Sequence, residues 1–166
     1  HQIDGVELAQ RAVDIFQEYI STQPEDLRER ITLEQGWIEA YQPRRPYDYV
    51  ICAEVLEHVI DPVALLKVAR KALKQDGILY VTAPAWRAFN EFSHVRAVEP
   101  EALRGWMEEA RFTVTGMEEQ HIGTQKWRVT CWATPDPTFK EATHGDQEKG
   151  ENGKTHERQE RKVLMP

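Results

Sequence analysis

Two hydrophobic periods alternate along this chain: short continuous apolar runs, and stretches in which apolar residues recur every three or four positions. The first is the pattern of buried strands and the second that of amphipathic helices. Ile3 to Glu7 reads as a strand, and Ala9, Ala12, Val13, Phe16 and Ile20 then recur on one helical face. Arg30 to Gln35 fits a short strand ending at Gly36. Tyr47 to Ala53 is nearly continuous in apolar residues, which predicts a strand covered on both faces. Asp61 is placed to cap the next helix, Pro62 fits its first position, and Leu65, Ala69, Ala72 and Leu73 form its buried stripe. Asp76 and Gly77 then turn the chain into a strand from Ile78 to Ala83, stopped by Pro84. After an irregular stretch to Val98, a helix opens near Pro100 with Leu103, Trp106, Met107 and Ala110 on one side. Phe112 to Glu118 and Lys126 to Thr134 read as two further strands, joined as an antiparallel hairpin. The order predicts an α/β fold with a mostly parallel sheet, whose ligands sit beyond the carboxyl ends of the strands.

The 166 residues, 40% of them hydrophobic, suffice for one core, and a single domain over residues 1–138 is expected. Residues 139–166 shift to Glu, Lys, Gly, Gln, Asn and His, too polar to offset chain entropy, and read as a disordered tail. The net charge of −7 offers no basic footprint, which disfavours a nucleic-acid partner. Cys52 and Cys131, the only cysteines, both fall in predicted strands, so a disulfide framework is not indicated and a reducing, cytoplasmic setting is expected. No apolar run approaches the roughly 20 residues that span a bilayer, and no signal peptide is read.

Several residues carry candidate chemistry. Glu7, at the carboxyl end of a strand, is placed either to accept ribose hydroxyls or to open a helix whose dipole favours it. Glu54, Glu57 and His58 stand at i, i+3 and i+4, so a helical turn there would project them to one side. Two carboxylates and an imidazole suit Mg²⁺, Mn²⁺ or Zn²⁺, with His94 as a fourth ligand. The competing reading has no metal and makes His58 a general base. His94 is a loop anchor, base or ligand. Trp86, Phe89 and Phe92 form either an aromatic acceptor wall or a small hydrophobic lid.

The block YDYVICAEVLEHVIDPVALLKVARKALKQDGILYVTAP, residues 47 to 84, resembles the second half of a class I S-adenosylmethionine (SAM) dependent methyltransferase, a Rossmann-like fold. His94-Val95-Arg96 with Glu99-Pro100-Glu101-Ala102-Leu103, and Ala110-Arg111-Phe112, are similar to later motifs of that family, although Arg111 replaces its usual glycine. The resemblance implies that Glu7 binds the SAM ribose, that Gly36, Trp37 and Ile38 border the adenine, and that Cys52, Ala53 and Glu54 border the methionine portion. Trp37 stands where the family commonly has an acidic residue. The E-x-x-E-H spacing is similar to that of the ubiquinone-biosynthesis O-methyltransferases and small-RNA 2′-O-methyltransferases, which implies a divalent metal, Mg²⁺ foremost, at Glu54, Glu57, His58 and His94.

The family's first strand and Gly-rich turn are absent from this sequence, so both neighbours of that strand are expected to lack a ladder partner. The resulting expectation is a SAM-dependent methyltransferase acting on a small-molecule acceptor, at oxygen, with His58 or His94 handling the proton. The alternatives are an inactive methyltransferase-like binding or scaffold module and, third, a dinucleotide-binding protein.

Overall fold

The Asp61 cap forms as the sequence predicts: its Oδ1 accepts the backbone N–H of Ala64 at 2.9 Å, with Pro62 in the first turn. It opens α3, Pro62–Ala72, in a computed structural model that describes residues 1–85, 93–122 and 126–139. The other elements are β1 Ile3–Glu7, α1 Gln10–Ser21, α2 Glu25–Arg28, β2 Ile31–Gln35, β3 Tyr47–Ala53, β4 Leu73–Ala85, α4 Pro100–Glu109, β5 Phe112–Ile122 and β6 Lys126–Pro135. A single 3-10 turn, Ile38–Ala40, lies between β2 and β3.

The strands form two sheets, a parallel β1-β2 pair and a four-stranded sheet in the order β3-β4-β6-β5. Within the second, β3 and β4 are parallel, and β4-β6 and β6-β5 are antiparallel, so the closing hairpin is present. Among the described residues β1 pairs only with β2, and β3 only with β4. This is the division expected of a sheet without its central strand. Asp4 near the start of β1 accepts the Tyr47 hydroxyl at 2.7 Å and pairs with Arg45, pinning the amino ends of β1 and β3 together.

One core joins α3 and α4 to one face of the larger sheet. Leu65, Leu66 and Ala69 of α3 and Leu103 and Met107 of α4 pack with Leu79, Val81 and Ala83 of β4 and Val129, Cys131 and Ala133 of β6. The predicted stripe of α3 is buried, and so is that of α4 except for Trp106, which is half-buried. The expectation for Tyr47 to Ala53 is only half met. Cys52 and Val50 face the core, but Tyr49 and Ile51 on the other face are 69% and 71% exposed. Apolar content alone does not cover a strand, since the covering element has to come from elsewhere in the fold. In α1 only Val13 and Ile20 of the predicted face are buried, because the helix packs on a two-stranded sheet instead of a full one.

Strand β4 is longer than predicted at both ends. It begins at Leu73, directly after α3, and meets β3 with a register irregularity between Tyr47 and Tyr49. The Lys74 ammonium on Asp48, 2.6 Å apart, ties the irregular start to β3. Pro84 does not end the strand, because its carbonyl, the only hydrogen-bonding group its backbone offers, accepts the Val98 N–H at 3.0 Å. β5 likewise continues past Glu118 to Ile122. Trp86, Phe89 and Phe92 and the polar tail from residue 140 lie outside the described residues.

Gly77 fits a space that admits no side chain. A Cβ there would lie 2.7 Å from Leu73 Cδ2 and 3.1 Å from the carbonyl oxygens of Asp48 and Lys74. Two of these three neighbours are backbone and cannot swing away, so Gly77→Ala is predicted to destabilise the domain by about 1–3 kcal/mol. Urea unfolding of the two proteins measures this, and equal midpoints would contradict it.

Candidate functional site

The carboxyl end of β3 supplies the central feature. Beyond Ala53 the Glu54 N–H donates to the Thr82 carbonyl at 2.8 Å, and Glu54 then takes a left-handed conformation with φ of 54°. A non-glycine residue there costs about 1–2 kcal/mol relative to ordinary backbone, so the turn is held by its bonds. Those bonds are specific: Glu54 Oε1 accepts the Thr82 hydroxyl at 3.0 Å and lies 3.2 Å from Arg128 Nε.

The segment after it is an irregular turn and not the helical turn that would align residues 54, 57 and 58. Glu54 is accordingly drawn toward β4 and β6, while Glu57 and His58 meet His94. One ligand atom from each of Glu57, His58 and His94 lies within 4.8 Å of the others. Three of the four residues predicted as metal ligands thus converge, and Glu54 does not join them.

Glu57 is 1% exposed, and neither carboxylate oxygen has a hydrogen-bond partner among the described residues. A buried carboxylate without donors is costly in its charged form, and a proton or a cation would relieve that cost. Burial pushes its pKa above the usual glutamate range and the Glu54 charge adds to the rise, opposed by its own backbone, His58 and His94. His58 sits beside it, with Nε2 3.7 Å from Glu57 Oε1, and its Nδ1 lies 3.0 Å from the Ser93 carbonyl. The His58 and His94 rings meet edge to face, 4.8 Å between centroids.

The stretch carrying His94 is fastened to this turn. Val95 N–H donates to the Glu57 carbonyl at 2.9 Å, and Arg96 donates to the Ile60 carbonyl at 2.9 Å while its guanidinium lies over the Trp106 ring. His94 thus stands in a stretch anchored by the Val95 backbone and the Arg96 side chain. Arg128, Thr82 and the Ser93 carbonyl, which hold Glu54 and His58, were not found from sequence. Only the register of β6 against β4, Pro84 opposite Arg128 and Thr82 opposite Thr130, brings the first near the site.

The second group of predicted residues gathers at the carboxyl ends of β1 and β2. Glu7 Oε1 accepts the Ala9 N–H at 2.8 Å at the start of α1, so the helix-opening role is present, with its second oxygen not engaged in that bond. Gly36 N–H donates to the Glu7 carbonyl at 3.0 Å, which brings the Gly36-Trp37-Ile38 turn beside Glu7. Trp37 is 65% exposed there, and Ile38 packs against the core. Cys52 is buried, and its thiol is pushed up to about 12 by burial and then by the Glu57 charge, which makes it a packing residue and no nucleophile.

The raised pKa of Glu57 has a consequence for stability. A carboxyl that titrates higher in the folded chain than in the unfolded one favours folding at low pH, and that advantage is lost as pH rises through the folded value. In the metal-free chain, Glu57→Gln is therefore predicted to raise the melting temperature, by an amount that grows as pH climbs above about 4.5, the ordinary glutamate value. Calorimetric melts across pH check this; a difference that stays constant with pH would show that the carboxylate is not strained.

Residues 1–79 match the family model of a methyltransferase domain. A sequence search of curated proteins finds no match. Among solved structures, the glycopeptide N-methyltransferase MtfA complexed with SAM is similar with a TM-score of 0.68 at 16% identity, over 81% of this chain and 72% of that one. A SAM-dependent methyltransferase from Clostridium acetobutylicum ATCC 824 is similar with a TM-score of 0.62 at 10% identity, over 81% of this chain and 75% of that one. The cyclase SpnF is similar with a TM-score of 0.68 at 16% identity, over 81% and 66%. At such identities the structures speak for the fold, the Rossmann-like α/β arrangement predicted from the element order, and a cyclase among them shows that the fold alone does not fix the reaction. No helix among the described residues is long and apolar enough to cross a membrane. The first 79 residues thus match the model of a methyltransferase domain, and over four-fifths of its length the chain is similar in fold to SAM-dependent methyltransferases.

Proposed function

We propose that the domain transfers the methyl group of SAM to a small-molecule acceptor at oxygen. The observation that carries this reading is the Glu57, His58 and His94 cluster at the carboxyl end of β3, where open α/β sheets place their ligands. A hydroxyl has to lose its proton as the new carbon–oxygen bond forms, whereas a neutral amine enters with a free lone pair. Two imidazoles beside a buried carboxylate are suited to that task.

SAM, when bound, supplies a methyl group already activated on a sulfonium. The chain's own work is then to bind, orient and take up one proton. Glu7 accepts the ribose hydroxyls through the oxygen it does not use on Ala9, while Gly36, Trp37 and Ile38 border the adenine, Trp37 offering its indole face. The backbone of Cys52, Ala53 and Glu54 borders the methionine portion, with Glu54 fixed by Thr82 and Arg128. With no ion bound, His58 Nε2 or His94 receives the acceptor proton. A divalent ion at Glu57, His58 and His94 would lower the acceptor hydroxyl's pKa, and the orphaned Glu57 oxygens fit such an ion. The protein's net charge of −7 suits a neutral or cationic acceptor better than a polyanion.

The test is calorimetric titration of SAM into the protein in its natural full length, followed by turnover with hydroxyl and amine acceptors. SAM is expected to bind, Glu7→Ala to weaken it by about tenfold or more, and His58→Ala to keep SAM affinity while lowering turnover by about 10²–10⁴. Absence of SAM binding, or His58→Ala working at the full rate, would overturn the proposal; transfer to amines alone would overturn the choice of oxygen.

A further inference from the structure

We infer that Glu57, His58 and His94 form a three-ligand centre selective for a borderline transition-metal ion of the Zn²⁺ type over Mg²⁺, with Glu54 outside the ligand set and the Ser93 carbonyl as its positioning group. The inference rests on the reading of this cluster as a metal site and goes on to its ion and its ligands.

The His58 ring carries the first argument. Its Nδ1 stands 3.0 Å from the Ser93 carbonyl, an atom that only accepts, so Nδ1 carries the hydrogen and donates. In the neutral ring Nε2 is then a bare lone pair, and it faces Glu57 Oε1 at 3.7 Å. Two electron-rich atoms confront each other across a gap too long for a hydrogen bond. The gap is close to the roughly 3.4 Å that separates neighbouring ligands around a tetrahedral ion with bonds of about 2.0–2.1 Å. A carbonyl that fixes the far nitrogen of an imidazole is also the usual outer support of a ligating histidine.

The second argument is the Glu57 carboxylate, buried and with both oxygens unpartnered among the described residues, beside a His94 that brings its ligand atom within 4.8 Å of the other two. The third is the place of Glu54. Its left-handed turn and its bonds to Thr82 and Arg128 take its carboxylate to another side, leaving one oxygen donor and two imidazole nitrogens. Mg²⁺ selects an octahedron of oxygens and holds imidazole poorly, whereas Zn²⁺ and Co²⁺ accept mixed nitrogen and oxygen sets. Three protein ligands also leave one position open, the arrangement of catalytic and not of structural zinc sites.

The probes are Zn²⁺, Co²⁺ and Mg²⁺ titrated into the chelator-treated full chain, with calorimetry and the visible absorption of bound Co²⁺ as readouts. One equivalent of Zn²⁺ is expected to bind about 100-fold or more tightly than Mg²⁺, with Co²⁺ giving a visible band. Glu57→Gln and His94→Ala should each weaken binding by about 100-fold, and Glu54→Gln by no more than about threefold. A second set of substitutions at His1, His144 and His156 should leave the site's affinity unchanged, and melting curves identify any variant that fails to fold. Comparable Mg²⁺ and Zn²⁺ affinity, or a loss in Glu54→Gln equal to that in Glu57→Gln, would overturn the three-ligand inference while keeping a metal site. Binding untouched by Glu57→Gln, or none at all, would overturn the metal reading itself.

Discussion

The hydrogen bond from Glu54 N–H to the Thr82 carbonyl carries the parallel pairing of β3 and β4 one residue past the strand, and everything at the site follows from what the chain does there. The ladder ends on a residue with φ of 54°, which throws the next segment out of the sheet direction. Glu54 goes one way, to Thr82 and Arg128, and Glu57 with His58 goes the other, to Ser93 and His94. The sequence spacing of three and four has no bearing once the turn is irregular. A left-handed residue at a strand end is strain held by its surroundings, and here the surroundings are two strands of the same sheet.

The larger sheet supplies the rigidity this requires. Its β4 and β6 strands present Leu79, Val81, Ala83, Val129, Cys131 and Ala133 to α3 and α4, all fully or nearly fully buried. The side chains that hold the turn, Thr82 and Arg128, project from those same strands between core positions. The opposite face is different in character: Tyr49 and Ile51 are exposed there, and Tyr80 and Trp132 meet at 5.7 Å between ring centroids. The domain is thus anchored from one side, with the ligand-facing turn at the end of the best-packed strands.

How much of this was legible depends on the range of the interaction. Asp61, Pro62 and the stripe of α3 were readable because capping and helical periodicity are local, and the same holds for α4. The early start of β4 at Leu73 was not, because it relies on Asp48 and Lys74 meeting across two strands, and neither residue favours a strand on its own. Tyr49 and Ile51 read as buried because apolar content states a preference for cover without providing it. At the site, residue type and the family resemblance singled out Glu57, His58 and His94, which the fold brings together, whereas the spacing that set Glu54 beside them assumed a helical turn. Arg128 and the Ser93 carbonyl were out of reach: one depends on sheet register and the other is backbone, which carries no sequence signal.

The central claim is that His58 offers a bare nitrogen toward Glu57 because Ser93 holds the other, and the direct measurement is the protonation of that ring. Long-range ¹H–¹⁵N correlation spectra of the metal-free protein distinguish the two tautomers and the imidazolium. The account predicts the His58 hydrogen on Nδ1, and a shift of Nε2 alone when Zn²⁺ is added. A hydrogen found on Nε2 would mean that no bare nitrogen faces Glu57 and that the pair makes no centre for an ion.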